Sequence, residues 1–186
     1  MSANKAELND YLQAPFFKVA PGGHADLVAW AGGAEQQELL FWSLTRAVGE
    51  RIDYLFKEYV DKKDDRIVWR RVKGGIFFKD LEVVVQSDHE FFFHDCGFQL
   101  CVGEAEREDY FAYDEHGIFW IYSKDKRYRA ALLTVGLRER DAPLICDSPH
   151  WHVGVRQTEE RLEKFVGVLI EHSQFAEREN TAGGSQ

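Results

Sequence analysis

The sequence predicts an α+β protein in which two long helices pack on an antiparallel sheet. Residues 34–60 and 158–175 carry helical patterns of apolar residues, whereas residues 66–156 between them are rich in β-branched and aromatic residues interrupted by glycines. Parallel strands would need helical crossovers, and residues 67–155 show no helical pattern. The strands, roughly five to eight in number, are therefore expected to form an antiparallel meander with both helices on one face.

The N-terminal region is expected to form two short helices. Residues 3–13 have one apolar helical face, and Pro15 should end this helix because proline disfavours helical geometry in the residue before it. A second short helix is predicted at residues 24–30. The glycine pairs at 22–23 and 32–33 tolerate positive φ angles and therefore mark both of its ends.

The longest predicted helix covers residues 34–60. Its apolar residues recur at intervals of three and four, which is the stripe of an amphipathic helix. These residues are Leu40, Leu44, Val48, Ile52, Leu55, Phe56 and Tyr59. The charged run at residues 61–65 is expected to be the solvated turn that ends the helix.

Strands are predicted from residue 66 onward. Two glycines, Gly74 and Gly75, can supply the positive φ angles of a tight hairpin between the first two strands. A third strand is expected to contain a bulge at Gly97, and a second hairpin is expected around the glycine-containing loop 114–117. The predicted strands cover residues 66–72, 76–86, 90–102, 110–113 and 118–122, with shorter ones at 130–137, 143–146 and 151–155.

The final helix, residues 158–175, is expected to begin at Thr158 as its N-cap, with Glu159 and Glu160 in the first turn, where negative charge favours the helix dipole. A chain of 186 residues can bury one sizeable core but is short for two. Residues 1–176 are therefore predicted to form a single domain, and residues 177–186 a disordered tail.

The composition restricts the classes of partner. A net charge of −9 argues against nonspecific nucleic-acid binding and against adhesion to anionic membranes, and it favours a basic partner. The N-terminus lacks the apolar run of a secretion signal, and no stretch has the uninterrupted apolar length of a membrane helix, so a cytosolic protein is expected. The three cysteines are an odd number, and we expect them to be thiols.

The run "CDSPHWH" is the strongest candidate for a metal site. In a strand, His150 and His152 point to the same face and can bind one zinc ion, and Cys146 could fold back as a third ligand. The alternative is an ordinary strand in which Trp151 and Val153 face the core. The histidines are then half exposed on the other face, and the cysteine is a small buried apolar residue.

A zinc site would make the chain a small hydrolase. A fourth ligand would have to come from another strand, for example from His94, Asp95 or Cys96. The metal-bound water would attack the substrate with help from a carboxylate such as Asp95 or Asp147. His94 and Cys96 also share a strand face, but the acidic and phenylalanine-rich surroundings do not favour a reactive thiolate.

Residues 104–115 combine acidic and aromatic side chains, with six acids against one arginine and hence a net charge of −5. Such a stretch predicts a contact surface for a basic protein, because the charges steer encounter and the rings supply anchoring area. The predicted partner-binding residues are Glu104, Glu106, Glu108, Asp109, Tyr110, Tyr113, Asp114 and Glu115. The alternative is a solvated loop before a hairpin whose aromatic residues point inward.

The leading functional hypothesis is a non-enzymatic, cytosolic protein-binding module, of the kind represented by inhibitors and immunity proteins that neutralise a basic toxic enzyme. The inhibitor class rests on analogy. The sequence contains no phosphate-binding glycine loop, nucleophile elbow or His-Glu-x-x-His helix. The two alternatives are the zinc hydrolase and a small-ligand module with an aromatic-lined pocket between sheet and helix.

Overall fold

The computed structural model describes residues 14–23, 25–61, 66–72, 76–94, 98–104, 108–144, 147, 158–172 and 175–180. Within these ranges the strands are β1 (Phe16–Val19), β2 (Leu27–Trp30), β3 (Arg51–Asp61), β4 (Arg66–Val72), β5 (Ile76–Phe77), β6 (Phe98–Gly103), β7 (Tyr110–Tyr113), β8 (Ile118–Tyr122), β9 (Arg138–Glu139) and β10 (Phe175–Asn180). The helices are α1 (Ala34–Val48), α2 (Phe78–Ser87), α3 (His89–His94), α4 (Lys126–Thr134) and α5 (Thr158–His172).

The sheet confirms the predicted α+β class. Its strand order is β10-β4-β3-β6-β7-β8-β2-β1-β9, and β5 pairs with β3 beside this path. The neighbouring strands are antiparallel except β1 and β9, which are parallel. The sheet is not the continuous meander over residues 66–156 that the sequence predicted, because the N-terminal hairpin β1–β2 joins it through β2 beside β8, and β3 lies inside it between β4 and β6.

The predicted helix over residues 34–60 is wrong in its second half. The helix α1 ends at Val48, and Gly49 then adopts a φ of 137°, which favours glycine and breaks the helical path. In β3 the buried residues Ile52, Tyr54 and Phe56 follow the two-residue period of a strand. A spacing of four satisfies both a helix and a strand, so the apolar stripe in the sequence could not distinguish them.

Three predicted strands are partly or wholly helical. The stretch 76–86 is strand only at β5 and continues as α2, the stretch 90–102 is divided between α3 and β6, and the stretch 130–137 lies mostly in α4. In α2 the buried residues Leu81, Val84 and Val85 have helical spacing, which prevails over their β-branched composition.

Other parts of the sequence prediction also differ from the structure. Residues 27–30 of the predicted short helix at 24–30 form β2, the described residues 143–144 of the predicted strand 143–146 are not in a strand, and β10 includes residues 177–180 of the predicted tail. The predicted helix at 3–13 and the predicted strand at 151–155 lie outside the described residues.

All five helices pack on the same face of the sheet, where interlocking aromatic rings form the core. The ring of Phe92 on α3 shows this best. Its centroid lies 5.1 Å from those of Phe41 and Phe98 and 5.8 Å from those of Tyr113 and Phe165. One ring therefore joins α1, α5 and two central strands.

The opposite face of the sheet has a smaller apolar cluster, which contains no residue from the described helices. Ala142 and Leu144 cover the part formed by β1, β2 and β8. Farther along this face, Cys101, Tyr110 and Tyr122 are half-buried. Of the helices in the described ranges, none is long and apolar enough to cross a membrane.

A largely buried ion pair between Arg161 and Asp88 connects α5 with the junction between α2 and α3. The Arg161 guanidinium donates two hydrogen bonds to the Asp88 carboxylate, one of them at 2.9 Å, and a third to Glu90 at 3.1 Å. Only 19% of the Arg161 side chain and 13% of the Asp88 side chain are exposed. The hydrogen bonds from Arg161 hold the pKa of Asp88 below its ordinary value.

The Asp88–Arg161 pair should make the protein sensitive to acid. Because the pKa of Asp88 is lowered on folding, its contribution is fully present above the unfolded value of about 3.9 and is lost as the pH falls through the folded value. The Asp88→Asn variant should therefore be less stable than the wild type at neutral pH, and the difference should close in acid. Urea denaturation at a series of pH values from neutral to acid measures the free energy of unfolding of the variant and the wild type. The exposed Glu82→Gln serves as control. A difference that stays constant with pH would contradict the assignment.

Candidate partner-binding site

The structure divides the acidic stretch 104–115 between the two ends of β7. Glu104, Glu108 and Asp109 lie where β6 ends and β7 begins, and we call this group the acidic end. Asp114 and Glu115 lie in the hairpin turn at the other end of the strand, and the strand alone spans about 10 Å from Tyr110 to Tyr113 at the usual rise. Glu106 lies outside the described residues. The predicted residues therefore do not form one continuous surface.

Tyr113 belongs to the core and not to a contact surface. Its hydroxyl donates to Gln37 Oε1 at 2.8 Å, and Gln37 Nε2 donates to the carbonyl oxygen of Gly32 at 2.9 Å. Gln37 is itself buried. A Cβ atom at Gly117 would lie 2.7 Å from the Gln37 amide nitrogen. This polar chain joins the start of α1 to the hairpin turn, which is a structural role.

The Asp114 carboxylate closes the hairpin turn between β7 and β8. Its Oδ1 accepts from the backbone N–H groups of His116 at 2.9 Å and Ile118 at 3.0 Å, and its Oδ2 accepts from Trp120 Nε1 at 2.7 Å. Asp114 is only 8% exposed. With three donors satisfied inside the protein, this carboxylate is not available to a partner, contrary to the sequence-based assignment.

The same turn brings together three groups that could in principle bind a metal. Ligand atoms of Asp114, Glu115 and His116 lie within 4.8 Å of one another. The imidazole Nδ1 lies 3.8 Å from Asp114 Oδ2, and this carboxylate raises the pKa of His116. Because both oxygens of Asp114 already accept hydrogen bonds, we interpret the cluster as part of the turn.

The predicted zinc ligands Cys146, His150 and His152 lie outside the described residues, so the zinc site stays a prediction. The same is true of Asp95 and of its neighbour in the sequence, Cys96. The structure does describe Asp147, the other candidate carboxylate. Its Oδ2 accepts a hydrogen bond from the Leu144 N–H group at 2.8 Å and closes a local turn.

Two carboxylates of the acidic end have no partner among the described residues. Glu108 is exposed and Asp109 is half-buried, and neither makes a side-chain hydrogen bond or ion pair there. The exposed Lys124 and Lys126 in the neighbouring connection do not pair with them. Arg127 donates to Asp125 Oδ2 at 2.9 Å and forms a longer ion pair, of 3.8 Å, with Glu104. The described cations therefore leave the charges of Glu108 and Asp109 uncompensated, whereas Glu104 is paired.

A pair of stacked tyrosines adjoins the acidic end. Tyr110 on β7 lies opposite Tyr122 on β8, with ring centroids 4.4 Å apart and planes inclined by 15°. Burial is the main cause that raises the pKa of both phenols, so both are neutral. Tyr122 was not among the predicted residues, because the sequence predicted the hairpin but not the register that places Tyr122 opposite Tyr110.

A groove lies at the far edge of the sheet, next to β1 and β9. It is lined by Lys18, Val19, Glu139, Arg140 and Asp141. Its walls are charged, unlike the aromatic-lined pocket between sheet and helix that the small-ligand hypothesis requires. That hypothesis stays a prediction.

Comparisons with known proteins identify no relative of the chain. No protein-family model matches it, and searches of curated proteins and of solved structures find no match in either. A function must therefore be inferred from the chemistry of its own side chains.

Proposed function

We propose that the chain is a non-enzymatic, cytosolic protein-binding module that binds a basic protein through the acidic end of its sheet. The observation that supports this proposal is the presence of two carboxylates, Glu108 and Asp109, that have no partner among the described residues and lie beside the stacked rings of Tyr110 and Tyr122. Of the residues predicted from the sequence, the proposed surface includes those before β7 and at its start. It includes Tyr122 instead of Tyr113, and it excludes Asp114 and Glu115 in the hairpin turn.

The two kinds of side chain have different roles in this proposal. The carboxylates of Glu108 and Asp109 at the end of the sheet attract a cationic partner during encounter and increase the association rate. The tyrosine rings offer apolar area with few rotatable bonds, and their stacking already restricts them, so little conformational entropy is lost on binding. An inhibitor that covers the cationic surface of a basic enzyme would use the same chemistry.

A charge-reversal variant tests the proposal. We expect Glu108→Lys with Asp109→Lys to slow association with the basic partner about tenfold at low ionic strength, because two attractive charges become repulsive. The effect should shrink at high salt, where exposed charges are screened. The partner is obtained by cross-linking in cells and mass spectrometry, and association of the two purified proteins is followed by stopped-flow fluorescence.

The matched control carries the same change in net charge elsewhere. Glu82→Lys with Glu163→Lys reverses two exposed acids on α2 and α5, neither of which makes an ion pair with described residues. This control should associate nearly as fast as the wild type. Equal slowing in both variants would mean that only net charge matters, and no slowing in either would exclude the acidic end as the binding site.

A further inference from the structure

The strand β10 forms one edge of the sheet. It stands at one end of the strand order, and among the described strands only β4 pairs with it. In an antiparallel strand the backbone N–H and C=O groups of successive residues point alternately to the two sides, so every second residue of β10 directs both groups away from β4. Such a row of backbone donors and acceptors is a template for a further strand.

The two edges of the described sheet differ in how well they can pair. At the other edge β9 is only two residues long, and a very short edge strand offers little to a further strand. By contrast, β10 has six residues and contains no proline. Its register with β4 is unbroken from Phe175 opposite Val72 to Asn180 opposite Ile67, so it has no bulge. Of the devices that protect natural edges, β10 therefore has only its charges.

The register fixes the faces on which these charged residues lie. Glu177 lies opposite Arg70 of β4, and Arg70 lies opposite Phe56 of β3, which is buried in the core under the helices. Because residues of a strand alternate between the two faces, Glu177 and Glu179 belong to the helix-covered face and Arg178 to the opposite face. The edge therefore has two acidic positions on one face and one basic position on the other.

A second copy of the chain does not fit this edge. A two-fold axis that pairs two β10 strands antiparallel keeps the helices on one side of the enlarged sheet, so it pairs residues of the same face. The two such registers with the longest overlap are centred on Glu177 and on Arg178. The first places Glu177 opposite its own copy, and the second places Arg178 opposite its own copy and Glu177 opposite Glu179. Like charges directly opposite each other destabilise a strand pair, so the edge disfavours self-association.

We propose that the outer edge of β10 binds an extended basic segment of another protein as an additional strand. Lysine or arginine at alternate positions of this segment lies opposite Glu177 and Glu179, and a small or acidic residue between them lies opposite Arg178. Backbone hydrogen bonds give affinity, and the alternation of charge gives specificity. A basic segment also suits a chain with a net charge of −9.

Two peptides of equal charge test the inference on the wild-type chain. The probe is acetyl-Lys-Thr-Lys-Thr-Lys-Thr-Lys-amide, which we call the lysine peptide, and the comparison peptide has the same sequence with an N-methyl group on every residue. In NMR titrations of the 15N-labelled full chain, the lysine peptide should shift the β10 amide signals and slow hydrogen exchange of alternate β10 amides. The methylated peptide keeps the charge but has no backbone donors, so it should bind at least about tenfold more weakly. Equal affinity of the two peptides, or shifts that leave β10 unchanged, would overturn the inference.

A variant with a matched control tests the charge pattern. Glu177→Gln with Glu179→Gln should weaken binding of the lysine peptide about fivefold, because two opposite-charge pairs are lost. Glutamine introduces no like charge opposite Arg70, so β10 is expected to stay paired with β4. Glu82→Gln with Glu163→Gln makes the same change in net charge at two exposed acids on α2 and α5, and it should leave the affinity nearly unchanged. Equal weakening in both variants would contradict binding at the β10 edge.

The inference goes beyond the proposed function, and the two can fail separately. In the strand order β10 is separated from β7 and its acidic end by β4, β3 and β6. Binding of the lysine peptide at β10, without any effect of the charge reversal on protein association, would support the edge and contradict the acidic end. Slower association of the charge-reversal variant, together with no binding of the lysine peptide at β10, would do the opposite.

Discussion

Replacing Asp114 by alanine is expected to destabilise the protein by about 3–5 kcal/mol, because three donors lose a charged acceptor at once. The Ile118 N–H group and the Trp120 indole N–H group bond to this carboxylate, and Asp114 itself is 8% exposed. The alanine variant leaves these donors without an acceptor beside the core. Urea denaturation measures the loss as a change in the free energy of unfolding.

The neighbouring Glu115 supplies the control for this prediction. Glu115 lies in the same turn, carries the same charge and is only half-buried, and its side chain makes no hydrogen bond to a described residue. Glu115→Ala should change the free energy of unfolding by well under about 1 kcal/mol. Similar losses in the two variants would mean that the negative charge of the turn, and not the hydrogen bonds of Asp114, stabilises the hairpin.

The second large effect is expected in the aromatic core. Phe92→Ala should lower the free energy of unfolding by about 3–5 kcal/mol, because it removes apolar contacts and leaves a cavity. The ring of Phe92 is fully buried and contacts the rings of Phe41, Phe98 and Phe165. Since these rings come from α1, β6 and α5, hydrogen exchange should speed up in all three elements.

Phe92→Leu distinguishes this explanation from a local effect on α3. Leucine keeps much of the apolar volume of the ring, so the loss in the free energy of unfolding should be about half as large as for alanine. If alanine and leucine were equally destabilising, the specific ring contacts would matter more than the filled volume. If exchange increased only in α3, the ring would not couple the helices to the sheet.

Part of this architecture follows from the sequence and part does not. The hairpin around residues 114–117 and the helix that begins at Thr158 follow from local patterns, and the structure contains both. The second half of the predicted helix 34–60 fails because residues four apart fit both helical and strand periods. Only the tertiary environment decides between them, and it places Ile52 and Phe56 under the helices.

The candidate site, like the fold, follows only in part from the sequence. Tyr110 and Tyr113 are three residues apart in a predicted strand, so the pattern already implied that they face opposite sides of the sheet. The prediction of a single contact surface over residues 104–115 did not take these opposite orientations into account. The stacking of Tyr110 and Tyr122 could not be predicted, because the sequence does not show which residues of the two strands lie opposite each other.

The position of β2 in the sheet has a consequence for biosynthesis. Leu27 on β2 pairs with Ile121 on β8, so the N-terminal hairpin leaves the ribosome long before the strand that it must join. At a synthesis rate of about 5–20 residues per second, the delay lasts several seconds, and a two-stranded hairpin is only marginally stable alone. The hairpin β1–β2 is therefore made before the other described strands but joins the sheet only after β8 is made, and until then its apolar strands depend on chaperones or on the remaining nascent chain for protection.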